Sequence, residues 1–235
     1  MKYREMEWTD EYIKKFWDYE SNFKENYFTY QVGSRVVEYL QSYLKGRKNI
    51  LDFGCGAGYL INHLLEIGLE VYGLDFSDAS IEKVNEKYKE NPSFKGAFMM
   101  ERFIADKGKY DSIIATEVIE HLDDDKLNST MEFIKESLAD DGIAIFTTPN
   151  DEDLSKSMIY CPEADCIFHR WQHVRSWTEE SLYSYMAQYF GHIEILTTSF
   201  GSSISSRQKI KNHIKIFLGI YREEKHNNLM AIVKK

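Results

Sequence analysis

The stretch Leu51-Asp52-Phe53-Gly54-Cys55-Gly56-Ala57-Gly58-Tyr59-Leu60 decides how this chain is read. Ile50, Leu51 and Phe53 form a short apolar run of the kind that makes a buried strand. Leu60, Leu64 and Leu65 then recur at helical spacing beyond the glycines. A strand feeding a glycine turn and then a helix builds a cradle for a small molecule. Glycine lets the backbone approach a ligand with no Cβ in the way, and the helix start offers unpaired N–H groups. The spacing narrows the ligand. A dinucleotide fingerprint reads G-x-G-x-x-G and serves a pyrophosphate, whereas Gly54, Gly56 and Gly58 alternate as G-x-G-x-G behind the acidic Asp52. An acid at that place repels a pyrophosphate and suits a cation.

Outward from this turn the pattern alternates. Glu70 to Asp75 reads as a second strand that ends in an acid about 20 residues beyond the turn, where Rossmann-like sites accept hydrogen bonds from a ribose diol. Asp78 to Glu90 reads as a helix capped by Ser77 or Asp78, and Phe94 to Phe98 as a short third strand. Lys109 to Thr116 is the fourth strand, Glu117 to Leu122 begins the next element, and Met131 to Leu138 is helical. Asp140-Asp141-Gly142 is a turn, and Ile143 to Thr148 is the fifth strand, closed by Pro149. Leu182 to Phe190 is a late helix, followed by strands at Ile193 to Thr198 and Leu229 to Val233. Upstream, aromatic residues crowd Trp8 to Tyr30, either as a helix face packed on the core or as a lid. A second helix runs from about Ser34 to Leu44 and stops near Gly46. The repeat of strand and helix, with right-handed crossovers, predicts an α/β protein with a doubly wound, mostly parallel sheet and helices on both faces. One domain over 1–235 is expected, with N-terminal helices or a lid at 1–45 and an insertion at 149–177.

At the glycine turn, Asp75 and the segment Tyr110 to Leu122, the chain resembles the class I S-adenosylmethionine (AdoMet) methyltransferases. The first motif of that family has the G-x-G-x-G form, and its cofactor carries a sulfonium and an amino group. The resemblance covers Leu51 to Thr148 and implies a Rossmann-like, seven-stranded sheet whose last strand enters antiparallel near the edge. It also implies AdoMet as cofactor, met by Asp52, Gly54, Cys55, Gly56, Gly58, Tyr59, Leu60, Asp75, Phe76, Ser77, Phe98 and Thr116. Asp75 is the expected ribose acid. Many relatives carry an acid after the third strand for the adenine amino group. Gly96-Ala97-Phe98 stands here instead, which leaves Phe98 to stack on adenine.

Glu117-Val118-Ile119-Glu120-His121 follows the fourth strand, at the carboxyl end where open α/β sheets bind ligands. If a helix starts there, Glu117, Glu120 and His121 stand at i, i+3 and i+4 on one face. The insertion adds His173, followed by Trp177-Thr178-Glu179-Glu180, which resembles the region supplying a fourth ligand in the small-RNA 3′-terminal 2′-O-methyltransferases. Carried over, the quartet around a divalent ion is Glu117, Glu120, His121 and His173, with His121 and His173 the catalytic histidines. The Glu-x-x-Glu-His segment also resembles ubiquinone-pathway O-methyltransferases. Mixed carboxylate and imidazole donors suit magnesium, manganese or zinc without choosing among them. A competing pattern, Cys161, Cys166, His169 and His173, has the residue types of a structural zinc site. Its histidine pair follows the cysteines too closely for the known zinc modules, and His173 cannot serve both sites.

These readings imply an AdoMet-dependent enzyme that methylates a hydroxyl on a small molecule, with a divalent ion assisting. The alternatives are an RNA 2′-O-methyltransferase and a non-catalytic AdoMet-binding module. The 235 residues carry a formal net charge of −9, which disfavours a broad nucleic-acid surface. Arg207, Lys209, Lys211, Lys215 and Arg222 form a local basic run, either a solvated face or an attraction for an anionic substrate. Three cysteines make no even-numbered framework. The N-terminus is charged, and no run reaches the roughly 18 apolar residues of a membrane span. A cytoplasmic setting is expected.

Overall fold

The computed structural model describes residues 3–100, 108–200 and 227–235. The basic run from Arg207 to Arg222 lies outside the described residues. Ten strands and six α-helices are described, in this order: β1 (Arg4–Glu5), α1 (Asp10–Glu20), α2 (Phe28–Leu44), β2 (Asn49–Phe53), α3 (Tyr59–Glu66), β3 (Glu70–Asp75), α4 (Asp78–Tyr88), β4 (Phe94–Met99), β5 (Tyr110–Thr116), α5 (Asp124–Ser137), β6 (Leu138–Pro149), β7 (Met158–Cys161), β8 (Cys166–His169), α6 (Glu179–Met186), β9 (His192–Thr198) and β10 (Asn228–Lys234).

Seven strands form the main sheet in the order β4-β3-β2-β5-β6-β10-β9. The five from β4 to β6 run parallel, and β10 lies antiparallel between β6 and β9. This is the Rossmann-like arrangement the sequence implies. The chain runs outward from β2 through β3 to β4, then returns to place β5 on the other side of β2. Ligands bind at such a reversal of strand order, outside the carboxyl ends of the strands.

Alternation along the strands sorts the core into two layers. Leu51 and Phe53, Ile113 and Ala115, Ala144 and Phe146 face one side, packed by Leu127, Met131 and Ile134 of α5 and Leu182 and Met186 of α6. Ile50, Ile114 and Ile145 face the other, against Val36, Val37 and Leu40 of α2, Leu60 and Leu64 of α3 and Val84 of α4. Each fully buried Leu or Ile contributes about 1.5–3 kcal/mol relative to exposure. Asp52, between Leu51 and Phe53, is therefore placed by the strand period on a buried face, 2% exposed.

Three expectations change. Glu117 to Leu122 is a turn and not the start of a helix: Glu117 has φ 52°, and α5 begins at Asp124, where the Asp123 side chain accepts the Lys126 N–H as N-cap. Asp140-Asp141-Gly142 lies within β6, because the register slips between Tyr110↔Leu138 and Ser112↔Ile143 and accommodates the extra residues as a bulge. The aromatic N-terminus splits into α1 and α2, broken after Ser21, so α2 starts at Phe28, earlier than the apolar spacing suggested. The insertion holds the β7–β8 hairpin, which pairs with β1 to form a separate three-stranded sheet. Among the described residues no helix is long and apolar enough to cross a membrane.

Candidate functional site

The glycine turn sits at the end of β2. Gly54, Gly56 and Gly58 have φ of 73°, 51° and 73°, the left-handed region that side chains other than glycine seldom adopt. A Cβ on Gly54 would lie 2.5 Å from Val118 Cγ2, so the turn also lies against the segment that follows β5. Gly54 and Cys55 donate their N–H groups to Leu74 O, at 2.8 and 2.9 Å. Asp75, at the end of β3, accepts the Gly56 N–H through Oδ2 at 2.7 Å and the Ser77 N–H through Oδ1 at 2.9 Å. Burial still pushes its carboxyl above the ordinary range, against those backbone bonds.

Asp52 is buried beneath this turn. Burial and the neighbouring Asp75 raise its pKa to about 8, and its Oδ2 has no hydrogen-bond partner. The Cys55 thiol is pushed well up for the same reasons, burial first. Thr116 Oγ1, at the end of β5, is also buried and unpartnered. Leu60 is fully buried and Phe76 packs against the core. Tyr59 meets Tyr27 and Tyr30 ring to ring, at 5.4 and 5.1 Å. Phe98 is 40% exposed at the end of β4, its ring folded back over Gly96.

On the facing side, the turn after β5 and the insertion bring acids and imidazoles together. Donor atoms of Glu120, His121 and His173 lie within 4.8 Å of one another, as do those of Glu152, His169 and His173. Glu120 is 1% exposed. Its Oε2 accepts the Thr148 hydroxyl at 3.0 Å, and its Oε1 has no partner. Burial, then repulsion from Glu117, raises its pKa well above the ordinary value. His121 Nε2 lies 3.9 Å from that free Oε1, and Nδ1 faces Gln172 O at 3.4 Å. Burial and His173 depress its pKa to about 3, so the ring is neutral at pH 7. Glu117 belongs to neither trio, and its Oε1 accepts from Thr147 Oγ1 at 2.8 Å and Asn228 Nδ2 at 3.3 Å. Burial lifts its pKa to about 7, with Glu152 adding to the rise.

Sequence reasoning did not single out four residues that complete this wall. Glu152 contacts both insertion histidines. Gln172 is buried with φ 61° and donates its Nε2 to His121 O at 2.9 Å. Trp17 donates Nε1 to Gln172 Oε1 at 3.1 Å and sets its ring edge-on to His121 at 5.1 Å. Asp18 accepts from Ser77 Oγ at 2.7 Å. The N-terminal aromatic helix therefore touches both walls of the cleft. In the hairpin, Cys161 pairs with Cys166 and His169 with Met158 at the opposite end. Among the described residues no cysteine joins either group of converging donors.

A family model described as "Methyltransferase domain" matches residues 23–189. The chain belongs to that family. This methyltransferase-domain chain is 30% identical over 162 residues to the ubiquinone biosynthesis O-methyltransferase of Pelagibacter ubique, covering 63% of itself and 65% of that enzyme. With the enzyme of the same name from Bordetella avium it shares 27% over 139 residues, 58% of itself and 56% of the relative. The chain thus spans about three fifths of the length of these curated relatives. Among solved structures, a SAM-dependent methyltransferase from Archaeoglobus fulgidus superimposes with a TM-score of 0.63 at 18% identity, over 94% of this chain and 99% of that one. The methyltransferase domain of a bacterial Hen1 protein does so at 0.56 and 20% identity, over 86% and 97%. These likenesses establish the AdoMet-dependent methyltransferase fold.

Proposed function

We propose that this methyltransferase transfers the methyl group of AdoMet to a hydroxyl of a small molecule, with a divalent ion assisting. The single observation that carries the reading is the buried, unpartnered Glu120 Oε1 beside two imidazoles whose Nδ1 atoms face oxygen acceptors. A ligand oxygen with no protein partner, beside imidazoles whose Nδ1 atoms are held by oxygen acceptors, is what a hard or borderline cation requires. Burial raises the pKa of Glu117 and of Glu120, Glu117 and Glu152 add to the rise at Glu120 and Glu152 to that at Glu117, and a bound cation would offset this repulsion.

The residues fit AdoMet as well. The three glycines hold the left-handed conformations that the turn requires, Asp75 would meet a ribose diol, and the unpartnered Asp52 Oδ2 would ionise beside a cationic ligand. AdoMet would supply the electrophilic methyl. Asp52, Gly54, Gly56 and Gly58 would shape the methionine end, Asp75 and Ser77 the ribose, and Phe98 the adenine. A divalent ion held by Glu120, His121 and His173, with Glu117 as fourth donor, would lower the pKa of a bound hydroxyl and orient it. The protein's own part is alignment: it holds the acceptor oxygen in line with the methyl and shields the cleft under Trp17 and Tyr27.

Ubiquinone biosynthesis O-methyltransferases, as their name says, methylate oxygen, and a catechol or other vicinal diol would chelate such an ion through two oxygens. A cytoplasmic, reducing setting belongs to this reading. Calorimetric titration with AdoMet, with and without manganese, tests it. Saturable binding of both is expected, and failure to bind AdoMet removes the reading.

A further inference from the structure

One carboxylate serves two imidazoles of the insertion. Glu152 Oε2 lies 2.5 Å from His173 Nδ1, and Glu152 Oε1 lies 3.5 Å from His169 Nε2. The two rings stack at 4.6 Å with 23° between their planes.

The partners fix the proton positions. The 2.5 Å separation of Glu152 Oε2 and His173 Nδ1 is a short hydrogen bond in which the carboxylate is the acceptor and the imidazole N–H the donor. An ionised carboxylate only accepts, so His173 carries its proton on Nδ1 and keeps a lone pair on Nε2. His169 is arranged the other way. Its Nδ1 accepts the backbone N–H of His173 at 3.1 Å and that of Trp171 at 3.4 Å, which leaves the proton on Nε2, a buried atom 3.5 Å from Glu152 Oε1 that makes no hydrogen bond. For His169 to ligate an ion through Nε2, that nitrogen would lose its proton and Nδ1 would set an N–H against two N–H groups. By residue type Glu152, His169 and His173 form a second set of metal donors, but their protons make them a support.

We propose that Glu152 is the positioning residue of the metal cluster, accepting the Nδ1 proton of His173 so that Nε2 is its donor atom, while His169 braces the carboxylate from the other side. The proposal rests on the divalent-ion reading given above. Histidine ligands commonly donate their second nitrogen to a carboxylate or carbonyl, and loss of that partner costs roughly 10–100-fold in metal affinity. His121 has the carbonyl form of this support, in Gln172 O, and Glu152 gives His173 the charged form.

Two measurements separate this proposal from the reading it rests on. In metal-free, nitrogen-15-labelled protein, two-bond proton–nitrogen correlations report the histidine tautomers. His173 is expected as the Nδ1–H form in the native chain and predominantly as the Nε2–H form in Glu152→Ala. A native Nε2–H form, or a tautomer unchanged by the substitution, overturns the proposal. Titration with Mn2+ alone is expected to give one ion per chain, bound roughly 10–100-fold more weakly by the near-isosteric Glu152→Gln. Equal affinity, or two ions per chain, overturns the proposal. If the native chain takes up no Mn2+ or Zn2+, the metal reading falls while the tautomer result still decides whether Glu152 sets His173. Because Glu152→Gln preserves volume, it keeps the tautomer measurement decisive if Glu152→Ala does not fold.

Discussion

Asp18 accepts a 2.7 Å hydrogen bond from Ser77 Oγ, which ties the N-terminal helix to the turn that follows Asp75. Its neighbour Trp17 reaches Gln172 and His121 on the opposite wall, so two consecutive residues bridge the cofactor turn and the imidazole cluster. The Asp18 side chain is 34% exposed, which trims the roughly 1.5–3 kcal/mol of a hydrogen bond to a charged group. Asp18→Ala is predicted to speed AdoMet release by about three- to tenfold, read by stopped-flow tryptophan fluorescence. An unchanged release rate would mean that α1 is not a lid.

The pKa of about 8 on Asp52 predicts a pH-dependent cofactor affinity. A cationic ligand favours the ionised carboxyl, so binding below pH 8 releases a proton and affinity rises with pH, by up to about tenfold per unit, levelling above pH 8. The demethylated product lacks the sulfonium charge and is predicted to show a shallower slope. Asp52→Asn should flatten both curves. Calorimetry between pH 6 and 9 in buffers of different ionisation enthalpy reads the slope and the released proton together.

At Gly54 both conformation and space demand glycine. Its φ of 73° and the 2.5 Å approach to Val118 mean that a methyl group strains the backbone and pushes on the β5 segment. Gly54→Ala is predicted to cost about 1–3 kcal/mol of stability and to weaken AdoMet binding with it. Val118→Ala in the same chain should restore part of the stability by vacating the space. Denaturant unfolding of the two variants separates the steric share from the conformational one.

Glu120→Gln tests the exchange of stability for chemistry. Burial and Glu117 raise the Glu120 pKa in the folded state, so its protonated form contributes stability below the ordinary carboxylate range, and that stability is lost as pH rises through the folded value. The amide has no such dependence. At pH 8 the variant is predicted to melt higher, by about 2–4 °C for each kcal/mol relieved, to bind AdoMet within about twofold of the native chain, and to take up no Mn2+ where the native chain saturates. A lower melting point would contradict this view of the buried acid.

The sheet was legible because its strands carry an unambiguous period: Ile50, Leu51 and Phe53, Ile113 to Ala115, and Ile143 to Phe146 admit one arrangement once the glycine turn is in place. The place of Asp75 at the end of β3 was legible from the strand pattern that follows the turn. The segment Glu117 to His121 was not, since Glu-Val-Ile-Glu-His suits a helix by composition and nothing local announces the positive φ at Glu117. Glu152, Gln172 and Trp17 were also hidden. Trp17 and Gln172 are 155 residues apart along the chain, and only the fold reveals that an aromatic helix face and a loop glutamine meet over His121. The cysteines illustrate the converse, a pattern present in sequence that the β7–β8 register parts from its histidines.

The central claim is metal-assisted transfer from AdoMet to a hydroxyl. Its most direct test is methyl transfer from labelled AdoMet to a simple catechol, compared in the presence of Mn2+, after chelation, and in the His173→Ala variant. The account predicts a mono-O-methylated product with manganese and a rate at least tenfold lower after chelation or the substitution. AdoMet that binds tightly but is never consumed, or a rate indifferent to both chelator and His173, would contradict it.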